Sequence, residues 1–306
     1  MTAADQPVVH VEDFRMNFGE QAVIKGLSFD VRAGETFGFL GSNGSGKTTT
    51  IRALLGIYLP TAGLLQVDGR PFKPSQSGEL GYLPEERGLY KKEPVLRTMV
   101  YFGRLKGMSA AAARRWSLDY LERVGLQDKA NVRLDKLSGG QQQKVQLGVT
   151  IMNQPRLLIL DEPTKGFDPV NRRLLLDLID EQKQAGATVV MVTHQMEEVE
   201  RLCDRVILLK DGVARAYGSV AEVQEEFGGT TVKVTYQGQL PDLPDCRQVA
   251  ADEAGHVELS VPKGLDLSDL LGRLVSSGVA VTAFTPSRRS LDSIFVEVYG
   301  SAAQED

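Results

Sequence analysis

The sequence has little cysteine, few aromatic residues and no long apolar run. Its 306 residues include only 2 cysteines, Cys203 and Cys246, which form neither a disulfide framework nor a metal-site spacing. We therefore expect a protein of a reducing compartment. No apolar stretch approaches the roughly 20 residues that cross a bilayer. The N-terminal stretch MTAADQPVVHVEDF lacks the basic start and apolar core of a signal peptide, so we expect none.

The sequence also lacks an excess of positively charged residues, since its formal net charge is -5. A phosphate backbone is normally met by an excess of Lys and Arg, so we predict no nucleic acid among the main partners. The hydrophobic share of 42% and the charged share of 25% are ordinary for a globular protein. The length predicts two domains.

Apolar spacing predicts how the chain is organised. Residues 85–136 are rich in Ala, Leu, Arg and Glu, with apolar positions at helical spacing. Short apolar strands then alternate with helices, which predicts an α/β fold with a mainly parallel sheet. We assign a main domain to 1–227 with a helical subdomain at about 85–136, and a small α+β domain to 228–300. The tail 301–306 is expected to be disordered.

A glycine-rich stretch follows an apolar strand and precedes a helix. Its letters GSNGSGKT match the phosphate-loop pattern G-x-x-x-x-G-K-[ST]. Such a loop surrounds phosphates with backbone amides, while Lys47 reaches the β- and γ-phosphates and Thr48 ligates Mg²⁺. An ordinary glycine-rich turn is the alternative, which the strand and helix on either side disfavour. The predicted ATP contacts here are Gly41, Ser42, Asn43, Gly44, Ser45, Gly46, Lys47, Thr48 and Thr49.

Two acids directly follow a second apolar strand, LLIL. The carboxyl ends of parallel strands form the ligand-binding edge of an open α/β sheet. We therefore expect Asp161 to hold the Mg²⁺ shell and Glu162 to act as the base that polarises the attacking water. Two solvated turn acids are the alternative, which the apolar strand immediately before them argues against.

A third motif, KLSGGQ, leaves bare backbone amides at the start of a predicted helix. Outward N–H groups and the helix dipole favour an anion there. Because one ATP does not obviously need two phosphate loops, the anion bound by this second loop is not evident from the loop alone.

Together these motifs resemble the ABC-type ATPase cassette over roughly Val8 to Phe227. Their order and spacing match that family, and LSGGQ is diagnostic of it among phosphate-loop proteins. The resemblance implies a cassette with a mainly parallel sheet, an antiparallel β subdomain and a helical subdomain. GYLPEERGLY and the ending SLDSIFVEVYG look like the sodium- and drug-efflux exporter subgroup, which carries a small extra C-terminal domain. The matching motifs are GSNGSGKT, LSGGQ (137–141), LLILDE (157–162), GFDP (166–169) and THQ (193–195).

The resemblance also implies how the second loop is used. Cassettes of this family pack head to tail as a dimer, either of one chain or of paired homologues. The signature loop of one subunit then meets the γ-phosphate of the ATP held by Lys47 of the other, and closure excludes solvent. In this sequence that loop is Ser138, Gly139, Gly140 and Gln141.

Further roles are implied by position. Phe18 stands where the family places an aromatic residue on adenine, although a core Phe is the alternative. His194 would contact the γ-phosphate and join Glu162 in catalysis, and Asp168 would lie at the dimer seam. Lys165 stands where the family usually has Ser. Glu85 stands where the family has a Gln that reaches Mg²⁺, so we predict it to be a metal ligand, with a solvent-facing Glu85 as the alternative.

The resemblance implies the ATP-hydrolysing motor of an exporter, with ATP and Mg²⁺ as cofactors. Its permease would be a separate transmembrane chain, docked near Arg87, Leu89 and Tyr90. The protein would then be peripheral, at the cytoplasmic face of the cell membrane. A soluble ABC ATPase acting on DNA or ribosomes and a purely regulatory ATP-binding module are the alternatives. Sodium, a hydrophobic drug and a lipid-like compound all stay open as cargo.

Overall fold

The chain divides into two compact units. The structure, a computed structural model, describes residues 6–73, 78–86, 88–227, 230–252, 255–262 and 264–300. The boundary between the units falls between Tyr217 and Gly218. A short helix, α7 (Val220–Glu226), therefore groups with the second unit, whereas the sequence analysis assigns it to the first. The tail 301–306 and Arg87 lie outside the described residues.

The first unit is built on a mainly parallel sheet. Strands β3 (Thr36–Gly41), β6 (Leu157–Asp161) and β7 (Thr188–Val192) are buried along their whole length and largely apolar, as central parallel strands are. Strands β5, β6, β7, β3 and β8 pair in parallel in that order, and β9 forms a hairpin with β8. The prediction of a mainly parallel sheet is confirmed. The strands are β3 (Thr36–Gly41), β5 (Leu80–Leu83), β6 (Leu157–Asp161), β7 (Thr188–Val192), β8 (Arg205–Lys210) and β9 (Val213–Ser219).

An antiparallel sheet covers one face of this core. It has the order β2-β1-β4 among the described strands, with bounds β1 (Val9–Phe18), β2 (Gln21–Val31) and β4 (Ala62–Val67). Its apolar face joins the core of the parallel sheet, where the Phe29 ring stacks on Phe37 at a centroid distance of 5.6 Å. This is the predicted antiparallel β subdomain.

Helices complete the first unit. The predicted helical stretch holds α2 (Val95–Leu105), α3 (Ala110–Arg123) and two 3-10 turns. The other helices are α1 (Lys47–Leu54), α4 (Gly139–Ile151), α5 (Pro169–Gln184) and α6 (Met196–Leu202). Helices α3 and α4 approach closely because Gly148 leaves room for the Tyr120 ring; a Cβ at position 148 would lie 2.4 Å from Tyr120 Cε1. Over the described residues, no helix is both long and apolar enough to cross a bilayer.

The second unit is a small α+β fold. Its described strands form an antiparallel sheet in the order β11-β12-β10-β13. Helix α8 buries Leu270 and Leu274 against one sheet face, beside Val232 and Leu259. The sequence analysis missed β11, an edge strand of sequence RQVAA with few strand-forming residues and no clear alternation. The elements after α7 are β10 (Thr230–Gln237), β11 (Arg247–Ala251), β12 (His256–Ser260), α8 (Leu267–Ser276), β13 (Ala280–Arg288) and α9 (Leu291–Gly300).

Candidate functional site

The glycine-rich loop joins β3 to α1 at the carboxyl edge of the parallel sheet. Gly46 caps α1 with a φ of 106°, and its missing side chain matters, since a Cβ there would lie 2.3 Å from Ile24 Cδ1. Among the residues that the structure describes, no side chain caps this helix start. The first amides of α1 are therefore directed into the loop, where a helix N-terminus favours an anion.

Lys47 is the first residue of α1, and its side chain reaches back into the loop. Its Nζ donates to the carbonyl oxygens of Gly41 at 2.7 Å and Ser42 at 2.9 Å. Burial lowers the pKa of the Lys47 ammonium, and the negative charges of Glu162, Asp161 and Glu85 oppose that shift. The ammonium is thus held against two carbonyl oxygens of the loop, within the field of three carboxylates.

Asp161 ends β6 and is 2% exposed. Burial raises its pKa to about 6, and the charges of Glu85 and Glu162 add to the rise, whereas Lys47 and Thr48 oppose it. Thr48 Oγ1 lies 3.5 Å from Asp161 Oδ2. A carboxylate and a hydroxyl are thus brought together, and the excess of negative charge around them favours a cation.

Glu162 follows at once and has a left-handed backbone, with a φ of 50°. Such a conformation costs about 1–3 kcal/mol for a residue other than glycine and is common at functional sites. Its backbone N–H donates to Val192 O at 2.8 Å, which fixes the turn against β7. Glu162 Oε1 contacts His194 Nδ1 at 2.8 Å, whereas the buried Oε2 has no hydrogen-bond partner among the described residues.

Strand order explains why these groups meet. β5, β6, β7 and β3 are neighbours and run parallel, so their carboxyl ends form one edge. Glu85 follows β5, Asp161 and Glu162 end β6, His194 follows β7, and the glycine-rich loop follows β3. The sequence analysis predicted this convergence for the phosphate loop and the two acids.

An ion pair that the sequence analysis did not predict also lies at this edge. Lys165 Nζ donates to Glu85 Oε1 at 2.6 Å. The Glu85 carboxylate raises the pKa of Lys165, and Glu162 and Asp161 add to the effect. The two residues are separated by 80 positions in the sequence, and no local pattern signals their contact.

The KLSGGQ motif forms the start of α4. Ser138 Oγ accepts from the Gln141 backbone N–H at 3.3 Å, and Gln141 Oε1 accepts from the Ser138 N–H at 3.0 Å. This reciprocal capping box holds the turn rigidly. The Phe167 ring lies against Gly140, where a Cβ would approach it to 3.1 Å. The turn is thus packed against the loop that follows the two acids.

Asp168 and Phe18 are two further residues predicted for the site, and their surroundings differ. The Asp168 carboxylate caps α5, accepting from the backbone N–H groups of Val170 and Asn171 at 3.0 Å each. A hydrogen bond from the Asn171 side chain, together with these backbone hydrogen bonds, lowers the pKa of Asp168. Phe18 ends β1 and is 46% exposed, in edge contact with the Tyr58 ring at 5.4 Å. Phe18 is therefore not a core residue.

Comparison with known proteins places this geometry in a family. Residues 24–165 match the family described as ABC transporter. Residues 218–299 match the C-terminal domain described as ATP-binding protein DrrA1-3-like. This second match confirms the expected extra C-terminal domain.

Relatives match over most of their length. An uncharacterized ABC transporter ATP-binding protein of Bacillus subtilis, YhaQ, is 35% identical over 95% of this chain and 98% of its own. The Nod factor export ATP-binding protein I of Ralstonia nicotianae is 38% identical over 83% of this chain and 79% of its own. The linearmycin resistance ATP-binding protein LnrL of Bacillus subtilis is 33% identical over 74% of this chain and 73% of its own length.

A solved structure has a similar fold. It is cbiO1 from Clostridium perfringens, described as part of the ABC transporter complex cbiONQ, with a TM-score of 0.63 and 26% identity over 72% of this chain and 92% of that chain. The sequence matches, the fold and the phosphate loop agree with one another. The chain belongs to the ABC transporter ATP-binding proteins and is an ATP-binding, ATP-hydrolysing member of that family.

Proposed function

We propose that this protein is the motor subunit of an ABC exporter. In this proposal ATP closes two cassettes head to tail, hydrolysis reopens them, and a separate permease carries the cargo. The observation that carries the proposal is the convergence of Lys47, Asp161, Glu162 and His194 on one sheet edge. An intact base beside a phosphate loop also argues against a purely regulatory ATP-binding module.

The catalytic roles follow from contacts at this edge. The amides of the glycine-rich loop and Lys47 bind the phosphates. Glu162 is the general base, because its buried Oε2 is free of other partners among the described residues and can accept a proton from water. His194 holds the other carboxylate oxygen at 2.8 Å and stands beside the γ-phosphate.

The residues present fit Mg²⁺. Hard cations take oxygen ligands, and Mg²⁺ in nucleotide sites uses one or two protein groups besides the phosphates. Thr48 and Asp161 supply a hydroxyl and a buried carboxylate in contact, and Glu85 adds a third oxygen group within their field. No group of three His, Cys, Asp or Glu side chains suited to a metal is found among the described residues. When bound, Mg²⁺ neutralises charge developing on the phosphates.

Phe18 is assigned to adenine. It is an exposed aromatic ring at the end of β1, braced by Tyr58, whose hydroxyl accepts from Arg52 at 3.1 Å. An exposed ring held in one orientation suits stacking on a base.

A second cassette completes the site. Ser138, Gly139, Gly140 and Gln141 form a helix start that a capping box closes, and the N-terminus of a helix favours an anion. In the proposed dimer these groups meet the γ-phosphate held by the other subunit, and Asp168 lies at the seam between the subunits. Packing of Phe167 against Gly140 links that seam to the loop carrying Glu162.

The binding surface for the permease is assigned to an aromatic groove on the helical subdomain. Tyr90, Glu93, Arg97, Thr98 and Tyr101 line it. Tyr90 and Tyr101 are 54% and 45% exposed, with ring centroids 5.7 Å apart. Exposed clustered aromatics are typical of protein interfaces. Glu85 precedes Tyr90 by only a few residues in the sequence.

The direction of transport is taken from the relatives. The names of two relatives, Nod factor export and linearmycin resistance, support efflux as the direction of transport, and the proposed cargo is a drug or an ion. The protein would then lie at the cytoplasmic face of the cell membrane, attached through its permease. The second candidate, a soluble ABC ATPase on DNA or ribosomes, is disfavoured by the net charge of -5.

The test is purification of the full-length, tagged chain from membranes of its own cells. We expect an integral membrane protein to copurify and to stimulate ATP hydrolysis. The variant Tyr90→Ser with Tyr101→Ser should lose that partner while still binding ATP. Leu59→Ser is the matched control, because Leu59 is 85% exposed and outside the groove. Copurification with ribosomes or DNA instead would contradict export.

A further inference from the structure

The ion pair between Glu85 and Lys165 bridges two loops of the ATP site. The Glu85 loop is anchored by Gln146 of α4, whose amide donates to Glu86 O at 3.2 Å. The Lys165 loop is anchored by Thr164 Oγ1, which donates to the buried Glu198 Oε1 at 2.6 Å. Two separately anchored loops thus meet through one contact of 2.6 Å.

Negative charge exceeds positive charge around this contact, and removal of Lys165 would enlarge the excess. Glu85, Asp161 and Glu162 all act on Lys47, so three carboxylates share the field of the phosphate-binding lysine. ATP brings further negative charge to the same place. Lys165 is within the field of the same three carboxylates and is bonded to Glu85.

We infer that Lys165 is a positioning residue that offsets the charge of Glu85 and thereby keeps ATP affinity high. Both side chains are partly exposed, at 58% for Lys165 and 44% for Glu85. Water and salt therefore screen the interaction, and its effect on binding is moderate. The inference rests on ATP binding and is independent of export.

The experiment measures binding of ATP to the full chain with EDTA present, so that no metal contributes. We expect Lys165→Met to weaken ATP binding about three- to tenfold, because Glu85 then repels the phosphates without an offsetting charge. Glu85→Gln combined with Lys165→Met should restore the wild-type dissociation constant, and Lys165→Arg should keep it. At about 0.5 M salt the loss in Lys165→Met should shrink to less than about twofold.

Lys183→Met is the matched control. Lys183 pairs with Asp204 at 2.7 Å, and Asp204 precedes β8 at the opposite edge of the sheet. Removing that lysine changes the net charge equally and should leave ATP affinity unchanged. Thermal unfolding of each variant shows whether it is folded.

Two results would overturn the inference. Unchanged affinity in Lys165→Met would show that Glu85 needs no offsetting charge. A loss that Glu85→Gln does not repair would show that Lys165 acts on the nucleotide directly. Neither result bears on copurification with a permease, so this inference and the proposed export function can fail separately.

Discussion

His194 Nδ1 lies 2.8 Å from Glu162 Oε1, and His194 Nε2 lies 3.2 Å from the side-chain amide nitrogen, Nε2, of Gln195. The two contacts are both satisfied when Nδ1 donates to the carboxylate and Nε2 accepts from the amide. Glu162 Oε2, the other carboxylate oxygen, is buried and has no hydrogen-bond partner among the described residues.

Glu162→Gln should bind ATP but lose most turnover. The amide keeps the shape of the carboxylate but cannot accept a proton from water, and general-base catalysis contributes about 10²–10⁴-fold. We also expect the ATP-loaded dimer to accumulate, because binding and hydrolysis use different groups. Steady-state ATPase assays and size-exclusion chromatography with ATP measure the two effects. Glu181→Gln, in an exposed pair with Arg123, is the control, and near-normal activity of Glu162→Gln would reject the base assignment.

Gly139→Asp should abolish turnover without preventing ATP binding by the isolated monomer. In the proposed dimer the new carboxylate faces the γ-phosphate of the other subunit, and like charges repel strongly in a closed site. Gly272→Asp is the matched control, because a Cβ at Gly272 meets no heavy atom within 4 Å. If monomer binding is lost in Gly139→Asp, the signature loop serves the nucleotide of its own chain.

Glu85→Gln should retain substantial ATPase activity with an altered Mg²⁺ dependence. Gln keeps the length and one oxygen, but a carboxylate is the stronger ligand for a hard cation. Glu85→Ala removes both the length of the side chain and its oxygen, and it should uncouple hydrolysis from transport. Mg²⁺ titration of ATPase activity and transport by the reconstituted complex are the measurements. Wild-type behaviour of both variants in both assays would exclude Glu85 from the metal site.

Lys106 should make stability depend on pH in the alkaline range. Burial lowers its pKa to about 8, and its Nζ donates to Thr150 O at 2.9 Å and Asn153 Oδ1 at 3.0 Å. The unfolded chain binds the proton up to about pH 10.4. Between these values the unfolded state holds more protons, so the contribution of Lys106 to stability increases as pH rises.

Urea unfolding at pH 7.5 and 9.5 measures this effect. The free energy of unfolding of the wild type, relative to Lys106→Met, should rise by on the order of 1 kcal/mol between these two pH values. Lys129→Met, which removes a lysine paired with Asp128 on the surface, should show no such relative change. A flat difference for Lys106→Met would mean that the lysine stays charged when folded.

The sequence determined the features that are encoded locally. A phosphate loop is one contiguous stretch, and its glycines and lysine specify their own turn and helix start. Asp161 and Glu162 are likewise placed by the apolar strand directly before them. The motifs therefore predicted the α/β class, the parallel sheet and the family before any contact was known.

Strand β11 and the boundary between the two units, which falls before α7, were not predictable from local sequence motifs. The five residues of β11 carry a weak strand signal and pair only because β12 offers a free edge beside them. The apolar content of α7 is compatible with either unit, and only its contacts group it with the second. The exposure of the Phe18 ring was not predictable either, because it depends on which other residues cover the end of β1.

The pairs of side chains at the sheet edge were decided by the tertiary structure. Glu85 and Lys165 meet because β5 and β6 are neighbours, and Glu162 meets His194 because β6 and β7 are. Strand order comes from packing of the whole sheet, a non-local property that no stretch of sequence encodes. The sequence by itself thus determined which chemical groups stand at the ends of the strands, and the fold alone decided which of them touch.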